Sequence, residues 1–251
     1  MLSAVRKSDN STVFAKHESR GNGPFRCPDC HKEVVLHQGS RTSPHFSHRG
    51  IQPCRFTFGE TEGHRSAKLA IYEGLRSYPG VTRVEMEHPF GTVRADVFAM
   101  IRGVPVAIEV QVSNLSPEEL SYRTTEYTKK GIYVLWLLPW VAKLESHRYS
   151  PKLWERWLHA AYFGRVYYWY SDLTIVPYQF RDQHVHVERQ TWKDSRGRTH
   201  RAGGYRKTSR RFKHAIAEMP VHLVKDFRIT HRDPWHWANG YIPSAALFTA
   251  I

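Results

Sequence analysis

The chain has 251 residues, 41% of them hydrophobic, so it can bury a core of its own, and disorder throughout is excluded. Its formal net charge of +14 favours a polyanionic partner, with nucleic acid as the first candidate and a membrane surface as the second. An apolar run long enough to span a bilayer and a signal-peptide core are both missing from the sequence, which predicts a cytoplasmic protein without a membrane partner.

The amino-terminal segment is rich in turns and carries all three cysteines. Cys27 and Cys30 form a Cys-x-x-Cys pair, which in a reducing compartment is more typical of a metal site than of a disulfide. Tetrahedral zinc then requires two more ligands from a separate loop, and His45, His48 and Cys54 offer three choices. We expect Cys27, Cys30 and His48 to bind a structural zinc, with His45 or Cys54 in the fourth position. A loop with an unmetallated cysteine pair is the alternative.

A helix is predicted from about residue 60 to residue 78, because its apolar residues recur at helical spacing. Glu60, His64 and Lys68 are four residues apart and therefore line one face of this helix. That face could bring a third carboxylate and two phosphate-binding groups to the rim of a sheet. Glu62 lies on the opposite side from Glu60, so only one of the two can reach a given site. A solvated face with ordinary salt bridges is the alternative.

Three strands follow at about 83–89, 93–101 and 104–113, with Arg102-Gly103 as the turn between the last two. Alternation places Asp96 on the polar face of the second strand and Glu109 on the polar face of the third. If the strands pair, these two carboxylates can converge on one hard divalent cation and hold it against a phosphodiester. The alternative is an edge hairpin with a solvated face.

A second helix begins at Ser116, because Pro117 fits its first turn and Glu119 closes a capping box. Arg123 and Tyr127 lie four residues apart on this helix and can face the edge of the sheet, where an arginine would stabilise charge on a phosphate. A surface arginine and a core tyrosine are the alternative. An apolar run over 132–138 then predicts a strand buried on both faces.

Beyond residue 140 the sequence predicts a helix near 151–162, a tyrosine-rich hairpin over 165–180 and a basic, flexible segment over 193–213. The aromatic residues of the hairpin could stack on the bases of a single strand, although such residues more often belong to the core. These residues are Tyr167, Tyr168 and Trp169.

Several short motifs occur in a fixed order along the chain, and together they resemble the CoiA-like family of competence-associated proteins. The motifs are Phe25-Arg26-Cys27-Pro28-Asp29-Cys30, His45-Phe46-Ser47-His48, Glu60-Thr61-Glu62-Gly63-His64 with Lys68, Arg94-Ala95-Asp96-Val97, Ile108-Glu109-Val110-Gln111-Val112-Ser113, and Arg123 with Tyr127 before Trp136. The resemblance covers roughly residues 1–140. It implies a nuclease domain of the PD-(D/E)XK superfamily, with an α/β (α+β) restriction-endonuclease-like core of helix, three strands, helix and strand.

The resemblance further implies that Asp96, Glu109 and the backbone carbonyl of Val110 bind Mg²⁺ or Mn²⁺. Where the superfamily motif usually ends in lysine, this chain has Gln111, which can orient a water but cannot act as a base. Lys68 or His64 could take over the missing charge. A metal can in any case generate the nucleophile by lowering the pKa of its bound water.

The expected organisation is a zinc-finger-like module at 1–58, a PD-(D/E)XK nuclease-like domain at 59–140 and a mixed helix, hairpin and basic extension at 141–251. The expected activity is metal-dependent DNA cleavage, in which Asp96, Glu109 and a glutamate of the first helix, Glu60 or Glu62, hold the metal and Gln111 positions the water. The groups expected to handle phosphate charge are His64, Lys68, Arg94, Arg123 and Tyr127. The alternatives are an inactive nucleic-acid-binding adaptor in DNA processing, with protein partners, and a zinc-dependent regulatory DNA-binding protein.

Overall fold

The structure is a computed structural model of the chain that describes residues 1–40, 42–50, 54, 61–112, 114–146, 148–237 and 240–250. Its helices are α1 (Glu62–Arg76), α2 (Pro117–Lys129) and α3 (Leu153–Ala161). The first nine strands are β1 (Ser3–Arg6), β2 (Thr12–Phe14), β3 (Phe25–Arg26), β4 (Glu33–His37), β5 (His45–His48), β6 (Val81–Pro89), β7 (Arg94–Ile101), β8 (Val104–Val110) and β9 (Tyr133–Pro139). No helix in these ranges is both long enough and apolar enough to cross a membrane.

The carboxy-terminal part adds mostly β structure to this mixed α+β fold. Its strands are β10 (Val166–Ser171), β11 (Thr174–Val187), β12 (Gln190–Lys193), β13 (Thr199–Ala202), β14 (Tyr205–Ala217), β15 (Val221–His222), β16 (Phe227–Arg232), β17 (Trp235–Trp237), β18 (Gly240–Ile242) and β19 (Ala245–Ala250). The predicted flexible segment at 193–213 is therefore wrong, because it consists largely of β13 and β14, and β14 pairs along β11.

The amino-terminal strands form a separate five-stranded sheet in the order β2-β1-β3-β4-β5. Its small core contains Phe25, Val34, Leu36 and Phe46 together with Cys27 and Cys54. The two aromatic rings of this core meet edge to face with centroids 5.1 Å apart. So few buried side chains stabilise a sheet only weakly.

The central sheet runs in the order β14-β11-β10-β9-β8-β7-β6, and the chain enters it as α1, β6, β7, β8, α2, β9. This confirms the predicted order of helix, three strands, helix and strand. β9 pairs in parallel with both β8 and β10, which explains its continuous apolar sequence. Tyr167 and Tyr168 on β10 are almost completely buried, so they belong to the core, and their predicted role in base stacking is wrong.

Two local features position the β7–β8 hairpin and α2. The β7–β8 hairpin turns at Arg102 and Gly103, whose φ values of 50° and 78° are those of a two-residue primed turn that matches strand twist. The predicted cap of α2 is also present, since the Ser116 hydroxyl accepts a hydrogen bond from the backbone N–H of Glu119 at 3.2 Å. These features fix the register of β8 and the start of the helix that faces its end.

Candidate active site

Asp96 and Glu109 occupy neighbouring strands at the same level. β7 and β8 pair with Val97 opposite Ile108, so the same register places Asp96 opposite Glu109. The backbone N–H of Val110 donates to Oδ2 of Asp96 at 2.9 Å, which brings the aspartate across to the end of β8. The two residues thus lie at the same end of neighbouring strands, close enough for the charge of Asp96 to act on the Glu109 carboxyl.

Two side chains of α1, His64 and Lys68, approach the Asp96 carboxylate. Nε2 of His64 lies 3.4 Å from Oδ2, and Nζ of Lys68 lies 3.5 Å from Oδ1. Burial acts to raise the pKa of Asp96, but the positive charge of Lys68 and the hydrogen bond from His64 outweigh it and hold this pKa well below its usual range. Asp96 is therefore an ionised carboxylate at any physiological pH.

Glu109 is held from the other side by α2. The guanidinium of Arg123 lies 2.5 Å from Oε1, and the hydroxyl of Tyr127 donates to the same oxygen. Arg123 also donates to the carbonyl of Arg94 at 3.2 Å and stacks over Trp136 at 5.1 Å from the ring centroid, so its position is fixed. Arg123 and Tyr127 are predicted to face the sheet edge, and there they contact the Glu109 carboxylate directly.

The Glu109 side chain is only 1% exposed, and this burial raises its pKa to about 7. Arg123 opposes the shift, while the negative charge of Asp96 adds to it. The pKa of Glu109 is thus raised and that of Asp96 is lowered, and such a difference between neighbouring carboxylates is common in catalytic sites.

The raised pKa of Glu109 predicts how stability depends on pH without added Mg²⁺ or Mn²⁺. The protonated carboxyl favours the folded state, and this contribution is complete below the ordinary glutamate pKa of 4.5 and is lost as pH rises through 7. As pH rises from 5 to 8, we expect the free energy of unfolding of Glu109→Gln to increase relative to that of wild type by up to about 3 kcal/mol. Urea denaturation of both proteins at several pH values measures this difference, and parallel curves would contradict it.

Glu87 is a buried carboxylate that the sequence interpretation missed. It accepts a bond from Nζ of Lys68 at 3.0 Å and bonds from the backbone N–H groups of Leu2 and Ser3 at 3.1 and 3.0 Å. Burial acts to raise the pKa of Glu87, but the charge of Lys68 outweighs it and keeps the group ionised. The only signal in the sequence was an acidic residue in the strand next to β7. Glu87 connects the amino-terminal sheet to the lysine that contacts Asp96.

The glutamates predicted at the start of α1 are placed differently. Glu62 faces away from Asp96 and accepts bonds from the backbone N–H and hydroxyl of Ser43 at 2.9 and 2.6 Å, with Arg65 at 2.8 Å. These hydrogen bonds, those from Ser43 above all, lower the pKa of Glu62 to about 2. Glu62 therefore attaches α1 to the amino-terminal sheet. Glu60 lies outside the described residues.

Gln111 follows directly after β8. Its backbone N–H donates to the carbonyl of Leu137 at 2.7 Å, which continues the pairing with β9, and its side chain is buried. Arg94 begins β7, two residues before Asp96, and its carbonyl is held by Arg123. Both predicted residues are thus in the immediate surroundings of the carboxylate pair.

The chemistry of these donors fits a hard divalent cation. Mg²⁺ and Mn²⁺ take oxygen ligands, usually one or two carboxylates with water and substrate phosphate. Arg123 and Tyr127 hold the Glu109 carboxylate through Oε1 at the end of β8. Asp96 is ionised and lies on the opposing strand. The residues that would hold the ion are Asp96, Glu109 and the carbonyl of Val110.

A second group of residues forms a compact cluster in the amino-terminal sheet. Ligand atoms of Cys27, Cys30, His48 and Cys54 all lie within 4.8 Å of one another, so this set could hold a metal ion. The Sγ atoms of Cys27 and Cys54 are 3.7 Å apart, close to the separation of about 3.8 Å between two thiolates on a tetrahedral zinc. Three thiolates and one imidazole are a donor set typical of structural zinc.

The structure distinguishes the two candidates for the fourth position. Cys54 completes the cluster, whereas His45 donates from Nδ1–H to the carbonyl of Ser43, 2.9 Å away. The His45 ring stacks on His37 with centroids 5.0 Å apart, away from the sulfur atoms. The expectation of Cys27, Cys30 and His48 is thus matched by geometry, and His45 is excluded as the fourth ligand in this arrangement.

Two family models match the chain. Residues 9–57 match the amino-terminal domain of competence protein CoiA, and residues 60–174 match its nuclease-like domain. The second match contains α1, the β7–β8 hairpin and α2, and thus every residue placed around Asp96 and Glu109 except those of the amino terminus. The chain belongs to the CoiA-like family.

The chain is also similar to competence protein CoiA of Bacillus subtilis (strain 168), with 27% identity over 115 residues. The matched region covers 45% of this chain and 31% of that relative, so the CoiA-like chain corresponds to less than a third of the relative's length. No solved structure matches the chain significantly.

Proposed function

We propose that this CoiA-like chain is a Mg²⁺- or Mn²⁺-dependent nuclease of PD-(D/E)XK type that hydrolyses phosphodiester bonds in DNA, in the cytoplasm, during DNA uptake, recombination or defence. The observation that carries the proposal is the placement of Asp96 opposite Glu109 on β7 and β8, with cationic side chains of two helices around them. The match to a nuclease-like domain and the net charge of +14 support it.

The proposed site would hold its cation through Asp96, Glu109 and the carbonyl of Val110. A cation bound there polarises a phosphoryl oxygen and lowers the pKa of its bound water. The Gln111 amide can orient a water by hydrogen bonding but cannot take its proton. A structural zinc would be held by Cys27, Cys30, His48 and Cys54, and it would take no part in the reaction.

The positive charge that the superfamily motif places after the second carboxylate is supplied here from α1. Nζ of Lys68 lies 3.5 Å from Oδ1 of Asp96 and also forms an ion pair with Oε1 of Glu87 at 3.0 Å. With a cation held at Asp96, Lys68 and His64 would be placed to attract a phosphate oxygen. Arg123 on α2 stands on the other side of the pair and can stabilise charge that develops on the phosphate.

Cleavage by the purified wild-type protein tests this proposal. Labelled single-stranded DNA, duplex DNA and RNA are incubated with Mg²⁺, with Mn²⁺, with Ca²⁺ or without added cation. We expect DNA cleavage that requires Mg²⁺ or Mn²⁺ and rises with their concentration. Cleavage of RNA alone would overturn the DNA substrate, and cleavage that ignores the cation would overturn the mechanism.

One observation favours a second function. Gln111 stands where an active member of the superfamily usually has lysine, so the fold could serve as a catalytically inactive adaptor that binds DNA for other proteins. Under the same conditions the adaptor would bind DNA without shortening it at any cation concentration. The cleavage assay thus distinguishes the two functions directly.

A further inference from the structure

A cavity of about 610 Å³ lies in the carboxy-terminal part, away from the residues around Asp96. One wall is the carboxy-terminal half of α3 and the turn after it, up to Gly164, and the other walls come from β11, β14, β16 and β17. The first wall lies within the matched nuclease-like domain, whereas β14, β16 and β17 lie beyond residue 174, where that match ends. None of the functions discussed above uses this cavity.

Four aromatic side chains line the cavity: Phe163, Phe180, Trp235 and Trp237. Phe163 and Trp235 are 50% and 46% exposed, an unusual state for large apolar side chains in a protein with a well-formed core. Phe180 is stacked on His159, with ring centroids 5.3 Å apart. Together they offer flat apolar surfaces to a planar group.

The same cavity is strongly cationic. Arg156, Arg210, Lys213 and Arg232 line it, and no aspartate or glutamate is among the described residues that do so. The guanidinium of Arg232 lies over Phe163 and over Trp235, 4.5 and 5.1 Å from their ring centroids. An arginine held between two rings presents its edge to an anion while the rings remain open to stacking.

Three buried donors around the cavity have no hydrogen-bond partner within the part of the chain that the structure describes. They are Nε of Arg156, Nε of Arg232 and Nε1 of Trp237. Buried donors without partners are costly, and their concentration at one cavity is consistent with a ligand rich in acceptors. Phosphate and nucleobase oxygens are such acceptors.

We infer that this cavity binds a nucleotide of single-stranded DNA, with the base against Trp235 and Phe163 and its phosphate on Arg232 and Arg156. A duplex keeps its bases stacked internally and cannot offer one to the cavity, whereas a single strand can. The inference rests on the proposed DNA substrate but not on its cleavage. It gives the nuclease a second contact that selects unpaired strands.

The position of α3 connects the cavity to the proposed active site. The Asn114 side chain, three residues after Gln111, accepts bonds from Nζ of Lys152 and Nε1 of Trp154 at the start of α3. The other end of α3 lines the cavity. A nine-residue helix is about 14 Å long, so one strand of a few nucleotides can reach from the carboxylates to the cavity.

Fluorescence anisotropy with labelled oligothymidylate of about 12 nucleotides tests the inference, in an Asp96→Asn background that prevents cleavage. We expect Trp235→Ala and Arg232→Gln each to weaken binding about tenfold, as loss of one stacked base or one phosphate contact does. The matched controls, Tyr170→Ala and Arg198→Gln, remove an exposed ring and an exposed charge elsewhere and should change the affinity less than twofold.

Two competitors identify what the cavity recognises. An abasic oligonucleotide of the same length should bind more weakly than oligothymidylate and should be insensitive to Trp235→Ala. Equal affinities for the two oligonucleotides, or equal losses in the control variants, would overturn the inference. The inference would also be overturned if an acidic peptide of equal charge displaced oligothymidylate as effectively as unlabelled oligonucleotide does. Because binding is measured without cleavage, an inactive wild type would leave this result intact.

Discussion

Asp96→Asn should reduce Mg²⁺-dependent DNA cleavage by a factor of about 10²–10³ or more, because it removes the ionised carboxylate that the proposed cation site requires. Asparagine retains the size of the side chain and an oxygen that can accept the backbone N–H of Val110. The hairpin should therefore keep its structure, and initial rates measured on labelled DNA report the loss of charge.

Glu62→Gln is the matched control for this variant. Glu62 is another acidic residue of the predicted metal set, but it binds Ser43 and Arg65 instead of facing Asp96. We expect its substitution to leave the cleavage rate within about threefold of wild type, since exposed or remote contacts affect chemistry weakly. Equal activity of Asp96→Asn and wild type would contradict the proposed site, and an equal loss in both variants would point to a structural cause.

The elements around the site could be predicted because their signals are local. Alternation over 93–101 and 104–110, the Arg102-Gly103 turn and the Ser116 cap each depend on a few neighbouring residues. The spacing of His64 and Lys68 likewise fixed their common face on α1. These local rules were sufficient to place Asp96, Glu109 and both helices in the correct order.

Contacts between distant segments could not be predicted in the same way. The role of Glu87 depends on the amino terminus reaching β6, a pairing across more than eighty residues that no local pattern encodes. Likewise, spacing alone allowed both His45 and Cys54 as the fourth ligand. Only the register of β4 with β5 decides it, because this register stacks His45 on His37 and leaves His48 facing the cysteines.

The carboxy-terminal strands illustrate a different difficulty. A basic sequence over 193–213 looks unstructured because its charges interrupt the apolar alternation that identifies a strand. In the structure β14 obtains its backbone partners from β11 and leaves its basic side chains at the surface. Arg210 and Lys213, which line the carboxy-terminal cavity, are therefore placed by the backbone pairing of β14 rather than by a core of their own.

Removal of the proposed structural zinc should unfold the amino-terminal sheet. Zinc binding to cysteine and histidine ligands contributes an apparent free energy of about 10–16 kcal/mol in small zinc domains, more than the small core around Phe25 and Phe46 can replace. We expect Cys27→Ser to lose the metal and hydrogen-exchange protection of β3, β4 and β5. Metal analysis of the purified protein, together with amide exchange, measures both.

His45→Ala should keep its zinc and its sheet, because His45 contacts Ser43 and His37 rather than the cluster. Protein purified without metal, or Cys27→Ser as stable as wild type, would refute the zinc site. Unfolding of the sheet should also affect residues outside it, because Leu2 and Ser3 donate hydrogen bonds to the Glu87 carboxylate, which in turn binds Lys68. Without those donors Glu87 loses two of its partners, so zinc removal should also slow cleavage at Asp96.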